Sequence, residues 1–229
     1  MFAEDLPPGT INIVTGLPSE IGDALTTHPD VGKIGFTGSI PSARHIMANA
    51  AQTIKGVTLE LGGNDPAIIL DDADLGASTM KTMLAATFQM TGQVCTLGRI
   101  DDEATFSGGY FMRPTVVTDI PDDAPLMTEE QFCPAIPVAT YDEIDEVIAR
   151  ANQSVYGLSG SIWSRDTNRA LDLARKLEAG QVWINSHGPQ AINHLAPYGG
   201  VKQSGIGRKS GIDGILEYLQ SQTITTHER

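Results

Sequence analysis

The feature that most constrains this chain is the regular exchange of two hydrophobic periods along its length. Short β-rich runs, bounded by glycine and proline, alternate with longer stretches of helical spacing. KIGFTGS (33–39), VTLELGG (57–63), AIIL (67–70), TVVTDI (115–120), AIPVATY (135–141), GLSGSIWS (157–164) and QVWINS (181–186) read as strands or strand entries, as does INIVTG (11–16). SARHIMANAAQ (42–52), ADLGASTMKTMLAATFQ (73–89), the segment carrying Ile144, Val147, Ile148 and Ala151, and the segment carrying Ala170, Leu173, Ala174 and Leu177 read as helices. Thr140 and Glu143 have capping-box spacing, and Asp166 stands where an N-cap is needed. GILEYLQS (214–221) reads as helical and TITTH (223–227) as extended. A chain that alternates in this way is expected to be an α/β protein with a mostly parallel sheet. The alternation breaks in one place, the acidic, glycine-rich IDDEATFSGGY (100–110), which reads only as a turn.

Charge and cysteine content narrow the function. The 229 residues hold 28 acidic and 15 basic side chains, a formal net charge of -13, which disfavours nucleic acid and anionic membranes as partners. No apolar run approaches the roughly 18 residues of a membrane span. MFAEDLPPG lacks the basic start and apolar core of a signal peptide. Two cysteines make no disulfide framework, so a reducing cytoplasm is the expected setting.

A retained thiol in that setting either packs or reacts. Cys95 lies in FQMTGQVCTLGR, which supplies no local base, so packing and nucleophilic roles both remain open at this point. Glu60 in LELGG is a carboxylate inside an apolar strand, retained either by facing solvent or by serving as a base of raised pKa. GFTGS (35–39) is a strand-to-helix turn in which Ser39 caps and Pro41 is tolerated, a geometry that suits phosphate. GIGRKSG (205–211) has the wrong spacing for a dinucleotide fingerprint, and Lys202, Arg208 and Lys209 near it line either an anionic pocket or a solvated loop. The five histidines form no metal-binding spacing. His187 and His194 follow a strand and are candidates for a Cys–His pair with Cys95.

Taken in order, LELGG, GQVCTLGR, EEQFCP, the IN of VWIN and PYGGVKQSGIGR resemble the NAD(P)-dependent aldehyde dehydrogenase superfamily, and LPPGTINIVTG, IGFTGS and GYFMRPTVV are similar to its further segments. The resemblance implies an aldehyde-dehydrogenase-like α/β fold: a partial Rossmann-type cofactor domain plus an α/β catalytic domain, incomplete relative to the family. The expected divisions are residues 1–59 for the cofactor part, 60–221 for the catalytic part and 222–229 for a C-terminal oligomerisation strand. It implies Cys95 as nucleophile and Glu60 as general base. It also implies Gly38 and Ser39 at the cofactor pyrophosphate, Leu61 at the nicotinamide, and Glu130 and Phe132 at the nicotinamide ribose. The implied cofactor is NAD or NADP, the partner a small-molecule aldehyde, and the assembly of a complete member a homo-oligomer, dimer or tetramer. HGPQAINHL (187–195) is the expected substrate lining.

The same comparison implies two absences, the first Rossmann-type strands before Leu6 and a stretch between Ile100 and Ser107. Cys133 and Lys209 stand where the family usually has Gly and often has Glu. Besides aldehyde oxidation, two further functions are therefore expected alternatives: an inactive fragment that only folds or oligomerises, and a cofactor-free thiol esterase using Cys95 and Glu60.

Overall fold

The computed structural model describes residues 6–88, 93 and 114–227. Its elements follow the alternation. A π-helical turn, Pro18–Gly22, runs into α1, Asp23–Thr27. Then come β1 (Lys33–Thr37), α2 (Ile40–Ala51), β2 (Gly56–Glu60), β3 (Ala67–Ile69) and α3 (Ala77–Phe88). After residue 113 follow β4 (Thr115–Val117), α4 (Pro125–Thr128), β5 (Ala135–Pro137), α5 (Ile144–Asn152), β6 (Ser159–Trp163), α6 (Thr167–Ala174) and β7 (Gln181–Ile184). The chain closes with β8 (Gly205–Ile206) and α7 (Gly211–Leu216).

Among the described residues the strands form three sheets, ordered β1-β2-β8, β3-β6-β7 and β4-β5. Every pairing is parallel except β2 with β8. The mostly parallel sheet expected from the alternation is therefore present. Parallel strands need crossover connections, and α2 and α6 supply them. Each helix start has a local reason. Ser39 caps α2, its Oγ accepting from the Ser42 N–H, and Asp166 caps α6 by accepting from the Asn168 and Arg169 N–H groups.

Two cores result. Ala43 of α2 packs with Leu59 and Leu61, flanked by Phe36, Ile40 and Val57. The larger core joins Ile68, Leu70, Ile148, Ile162, Ala170, Leu173 and Leu177, so α5 and α6 cover the β3-β6-β7 sheet. Strand β6 is buried along its whole length although it contains two serines. Both are satisfied: Ser159 bonds to the Asp65 carboxylate, and Ser161 accepts from the Trp163 indole N–H.

Three sequence readings are corrected. INIVTG forms no strand, and its side chains are exposed, because no neighbouring strand takes up its backbone groups. Thr140 and Glu143 form no capping box. Helix α5 begins at Ile144 with Glu143 at the N-cap and no side-chain cap, and the Thr140 carbonyl instead accepts from Arg150. The last helix spans Gly211–Leu216 rather than 214–221. TITTH is not helical and pairs with no strand of this chain among the described residues. The turn expected at 100–110 lies outside the described residues.

The two larger sheets meet at Ser204, which is fully buried. Its carbonyl accepts from the Leu61 N–H at 2.9 Å, its hydroxyl donates to the Gly62 carbonyl at 2.6 Å, and the Gly157 N–H donates to that hydroxyl at 2.9 Å. Gly205 beside it has φ of +153°, and a Cβ there would stand 2.2 Å from the Leu59 carbonyl oxygen. Replacing Ser204 by alanine strands the buried Gly62 carbonyl and Gly157 N–H. Each unsatisfied group costs on the order of 1–3 kcal/mol. Urea denaturation of Ser204→Ala is expected to show a loss of about 2 kcal/mol or more.

Candidate active site

Ligands in open α/β sheets bind beyond the carboxyl ends of the parallel strands. Here that edge carries Thr37 at the end of β1 and Glu60 at the end of β2, side by side in register. β2 is the central strand of its sheet, so its end residue is enclosed from both sides. Glu60 is only 7% exposed. The Gly38 N–H donates to the Glu60 carbonyl at 3.0 Å, which brings the turn at the start of α2 against the same point. Glu60, Leu61, Gly38 and Ser39 therefore lie together at one end of this sheet.

Glu60 carries a charge that its surroundings only partly compensate. Oε1 is buried and has no hydrogen-bond partner among the described residues. Oε2 lies 3.8 Å from the Lys209 Nζ. Burial pushes the Glu60 carboxyl above its ordinary value, while the charges of Lys209 and Arg208 pull it down. A carboxylate with one oxygen free and a raised pKa is placed to take a proton from water.

Glu130 arrives from the segment after α4. Its Oε1 accepts from the Gly63 N–H at 3.2 Å. Gly62 permits the approach, since a Cβ there would stand 2.2 Å from the Glu130 Oε2. Burial raises the Glu130 carboxyl, and the Gly63 N–H opposes that shift. Asp65, three residues beyond Gly62, is half-buried, and its carboxyl is pushed up to about 7. Burial is the main cause, with the Glu130 charge adding to it and the Ser159 hydroxyl and N–H opposing it. Phe132 is 54% exposed and joins no hydrophobic cluster among the described residues. Cys95 lies outside the described residues.

Three basic residues left open by the sequence now separate. Lys202 pairs with Glu178 at 2.8 Å and donates to the carbonyls of Asn152 and Ser154. Arg208 donates to the carbonyls of Gly200 and Gly207. Only Lys209 turns its ammonium to the strand ends, donating to Thr37 Oγ1 at 2.6 Å. GIGRKSG is thus an antiparallel edge strand followed by a pinned loop, since Tyr198 and Lys209 exchange both backbone hydrogen bonds at 2.7 Å. The Lys209 geometry depends on tertiary folding, and its spacing from Glu60 in sequence carries no trace of it.

His187 is buried, with Nδ1 2.8 Å from Ser161 Oγ and Nε2 unpartnered among the described residues. Its edge meets Trp183 with ring centroids 5.5 Å apart. Burial drives its pKa down to about 4. His194 is exposed. Among the described residues no cluster of His, Cys, Asp or Glu is arranged to hold a metal ion, and no helix is long and apolar enough to cross a membrane.

Known proteins decide the lineage. The model of the aldehyde dehydrogenase family matches residues 1–100 and 97–224. The chain belongs to the aldehyde dehydrogenase family. It is 34% identical to a betaine aldehyde dehydrogenase of Rhizobium leguminosarum, over 96% of this chain and 58% of that protein. It is 35% identical to the 2-aminomuconic semialdehyde dehydrogenase of Danio rerio, over 96% of this chain and 58% of that protein. The fold superimposes on the betaine aldehyde dehydrogenase of Staphylococcus aureus, solved in complex with NAD+, with a TM-score of 0.86 and 32% identity. That match covers 95% of this chain and 55% of the other. The chain spans little more than half the length of the relatives it matches. The alignment with the Rhizobium protein runs over 284 residues, more than the 229 of this chain, so it opens gaps within it. The two family-model segments meet at residues 97–100, beside the point where the strand–helix alternation fails.

Asp65 and His187 make opposite contributions to stability against pH. Folded Asp65 keeps its proton to about pH 7, whereas the unfolded carboxyl releases it near 3.8. The folded state then binds more protons across that window, and its stability falls as pH rises through it. Folded His187 stays neutral to about pH 4, whereas the unfolded imidazole charges near 6.5, so stability falls as pH drops through that window. Asparagine at position 65 can still accept from the Ser159 N–H. Asp65→Asn is expected to remove the first dependence and leave the second. Its melting temperature, measured between pH 4.5 and 7, should fall more steeply on acidification than that of the unaltered chain.

Proposed function

We propose that this chain carries the catalytic part, and the adjoining strands of the cofactor part, of an NAD(P)-dependent aldehyde dehydrogenase that oxidises a small-molecule aldehyde to a carboxylic acid. The observation that supports it most is Glu60: a buried carboxylate with a free oxygen at the carboxyl end of the central strand, beside the open start of α2. Divisions at residues 1–59, 60–221 and 222–229, a homo-oligomeric assembly and a cytoplasmic setting belong to the same reading.

The residues present suit a dinucleotide. The first turn of α2 holds no acidic side chain; the Gly38 N–H is taken by the Glu60 carbonyl, Pro41 has none and the Ser42 N–H goes to the Ser39 cap, which leaves the Ser39 and Ile40 N–H groups as donors for a pyrophosphate beside Gly38 and Ser39. Glu130 keeps Oε2 without a hydrogen bond among the described residues, an acceptor for a ribose hydroxyl, with Phe132 and Leu61 as its neighbours in the reading. When bound, NAD or NADP supplies a hydride acceptor.

The protein's own groups do the rest. The Cys95 thiolate adds to the aldehyde carbonyl, and the developing oxyanion requires hydrogen-bond donors, the Cys95 backbone N–H among them. Loss of hydride leaves a thioester on Cys95. Glu60 then takes a proton from water as that water attacks the thioester carbon, and collapse releases the acid and restores the thiolate.

A second reading, a non-catalytic chain that only oligomerises, is supported by the exposed Ile11, Ile13, Val14, Leu219 and Ile224 together with the short span relative to its relatives. Nicotinamide reduction with a panel of aldehydes separates the two. Cys95→Ala is expected to abolish reduction. Glu60→Gln is expected to release at most one equivalent of reduced cofactor per chain and then stall, with steady turnover down by about 10²–10⁴-fold. Undiminished turnover in Cys95→Ala ends the catalytic assignment. Absence of any NAD binding by tryptophan fluorescence, with a stable oligomer by light scattering, favours the second reading. Ester hydrolysis without NAD that vanishes on alkylation of Cys95 would instead identify a thiol esterase.

A further inference from the structure

The Glu60 carboxylate has one neighbour whose arrangement no part of the aldehyde-oxidation scheme uses. The backbone of Lys209 is fastened to Tyr198 by two hydrogen bonds of 2.7 Å, so its Cα has little freedom. Directly after it, Ser210 and Gly211 both adopt positive φ, +59° and +58°, which fixes the direction of the loop. From that anchor the side chain reaches back across the sheet. Its Nζ donates to Thr37 Oγ1 at 2.6 Å and stands 3.8 Å from Glu60 Oε2. Thr37 is the register partner of Glu60 on the neighbouring parallel strand, so the hydroxyl that holds the ammonium and the carboxylate it faces are presented by adjacent strand ends.

We propose that Lys209 is a positioning residue for Glu60: its ammonium, held by Thr37, ties down Oε2 and keeps the group a carboxylate while Oε1 stays open for a proton. This rests on Glu60 serving as the base. The division of labour between the two oxygens follows from their surroundings. Oε1 is enclosed without a donor among the described residues, and Oε2 has the cation. The separation of 3.8 Å is a charge contact rather than a hydrogen bond, so Lys209 orders Glu60 without occupying its lone pairs. The other charged groups around this point are Arg208, which acts in the same sense from the same loop, and Glu130, held at Gly63 on the chain leaving β2. Arg208 is committed to two carbonyls, so it does not take over the place of Lys209.

The test reads Glu60 directly and needs no turnover. The chain is labelled with carboxyl-13C glutamate, and the Glu60 resonance is identified as the one missing from Glu60→Gln. Its titration is followed in the unaltered chain and in variants shown by circular dichroism to be folded. An opposite charge at this distance lowers a carboxyl pKa by about one unit or more. Lys209→Met is expected to move the Glu60 midpoint up by about that amount, and Lys209→Arg to restore it. Lys209→Glu should move it further up, and Thr37→Val should give a smaller rise because the ammonium loses its anchor. In the unaltered chain, raising the ionic strength should raise the midpoint, since Lys209 is partly exposed and its charge is screened. A midpoint that is the same in the unaltered chain and in Lys209→Met, within a few tenths of a unit, overturns the proposal. So does a midpoint indifferent to salt, a measurement that needs no variant at all. If the midpoint follows Lys209 but Glu60→Gln turns over normally, the charge contact stands and the base assignment is what fails.

Discussion

The architecture depends on what happens to the backbone just past Glu60. A strand that ends beside a ligand site must leave the sheet without stranding its polar groups in the interior. Here the chain leaves through Leu61, Gly62 and Gly63, and Ser204 receives it. The Ser204 carbonyl accepts from Leu61, and its hydroxyl links the Gly62 carbonyl to the Gly157 N–H. One small polar side chain thereby joins the sheet that carries Glu60 to the loop that feeds β6. No apolar residue of similar size can do this, because both buried backbone groups need a partner that donates and accepts.

Around this joint the protein collects carboxylates in poorly solvated positions. Glu60, Asp65 and Glu130 all have raised pKa values, with burial the first cause in each. Asp65 is made tolerable by Ser159, which supplies two donors to it. Glu130 receives one from Gly63. Glu60 receives none on Oε1 among the described residues, and a partly exposed lysine compensates its charge from outside the sheet. A carboxylate left this incompletely satisfied is a liability for stability, and such groups are commonly retained where chemistry uses them.

The sequence made many elements readable for a simple reason. KIGFT, GVTLE and SGSIW are short β-rich runs closed by glycine or a polar cap, and the structure forms strands from all three. Asp166 and Ser39 announced their helices, because capping is decided within three residues. INIVTG had a comparable β-rich composition and forms no strand, because a strand is defined by a neighbour rather than by its own residues. Thr140 and Glu143 had the spacing of a cap, but the Thr140 carbonyl was taken by Arg150 and the helix began later. Among site residues, Glu60 stood out as an acid in an apolar strand, and Gly38 and Ser39 as a strand-to-helix turn. Glu130 was reached only through resemblance. Asp65 and Ser204 gave no signal, since an aspartate beside a proline and a serine before a glycine are ordinary loop residues.

The sequence by itself determined the α/β alternation, the capped starts of α2 and α6, the family motifs and their order, because each is encoded in neighbours within a few positions or in short runs. Only the tertiary structure decided which charges meet. It set Glu130 against Gly62, sent Lys202 and Arg208 to carbonyls, and brought Lys209 to Thr37 and Glu60, 149 residues earlier in the chain. Contacts of that kind depend on strand register and on which backbone groups remain unpaired once the sheets are assembled. Neither is a property of any local stretch of residues.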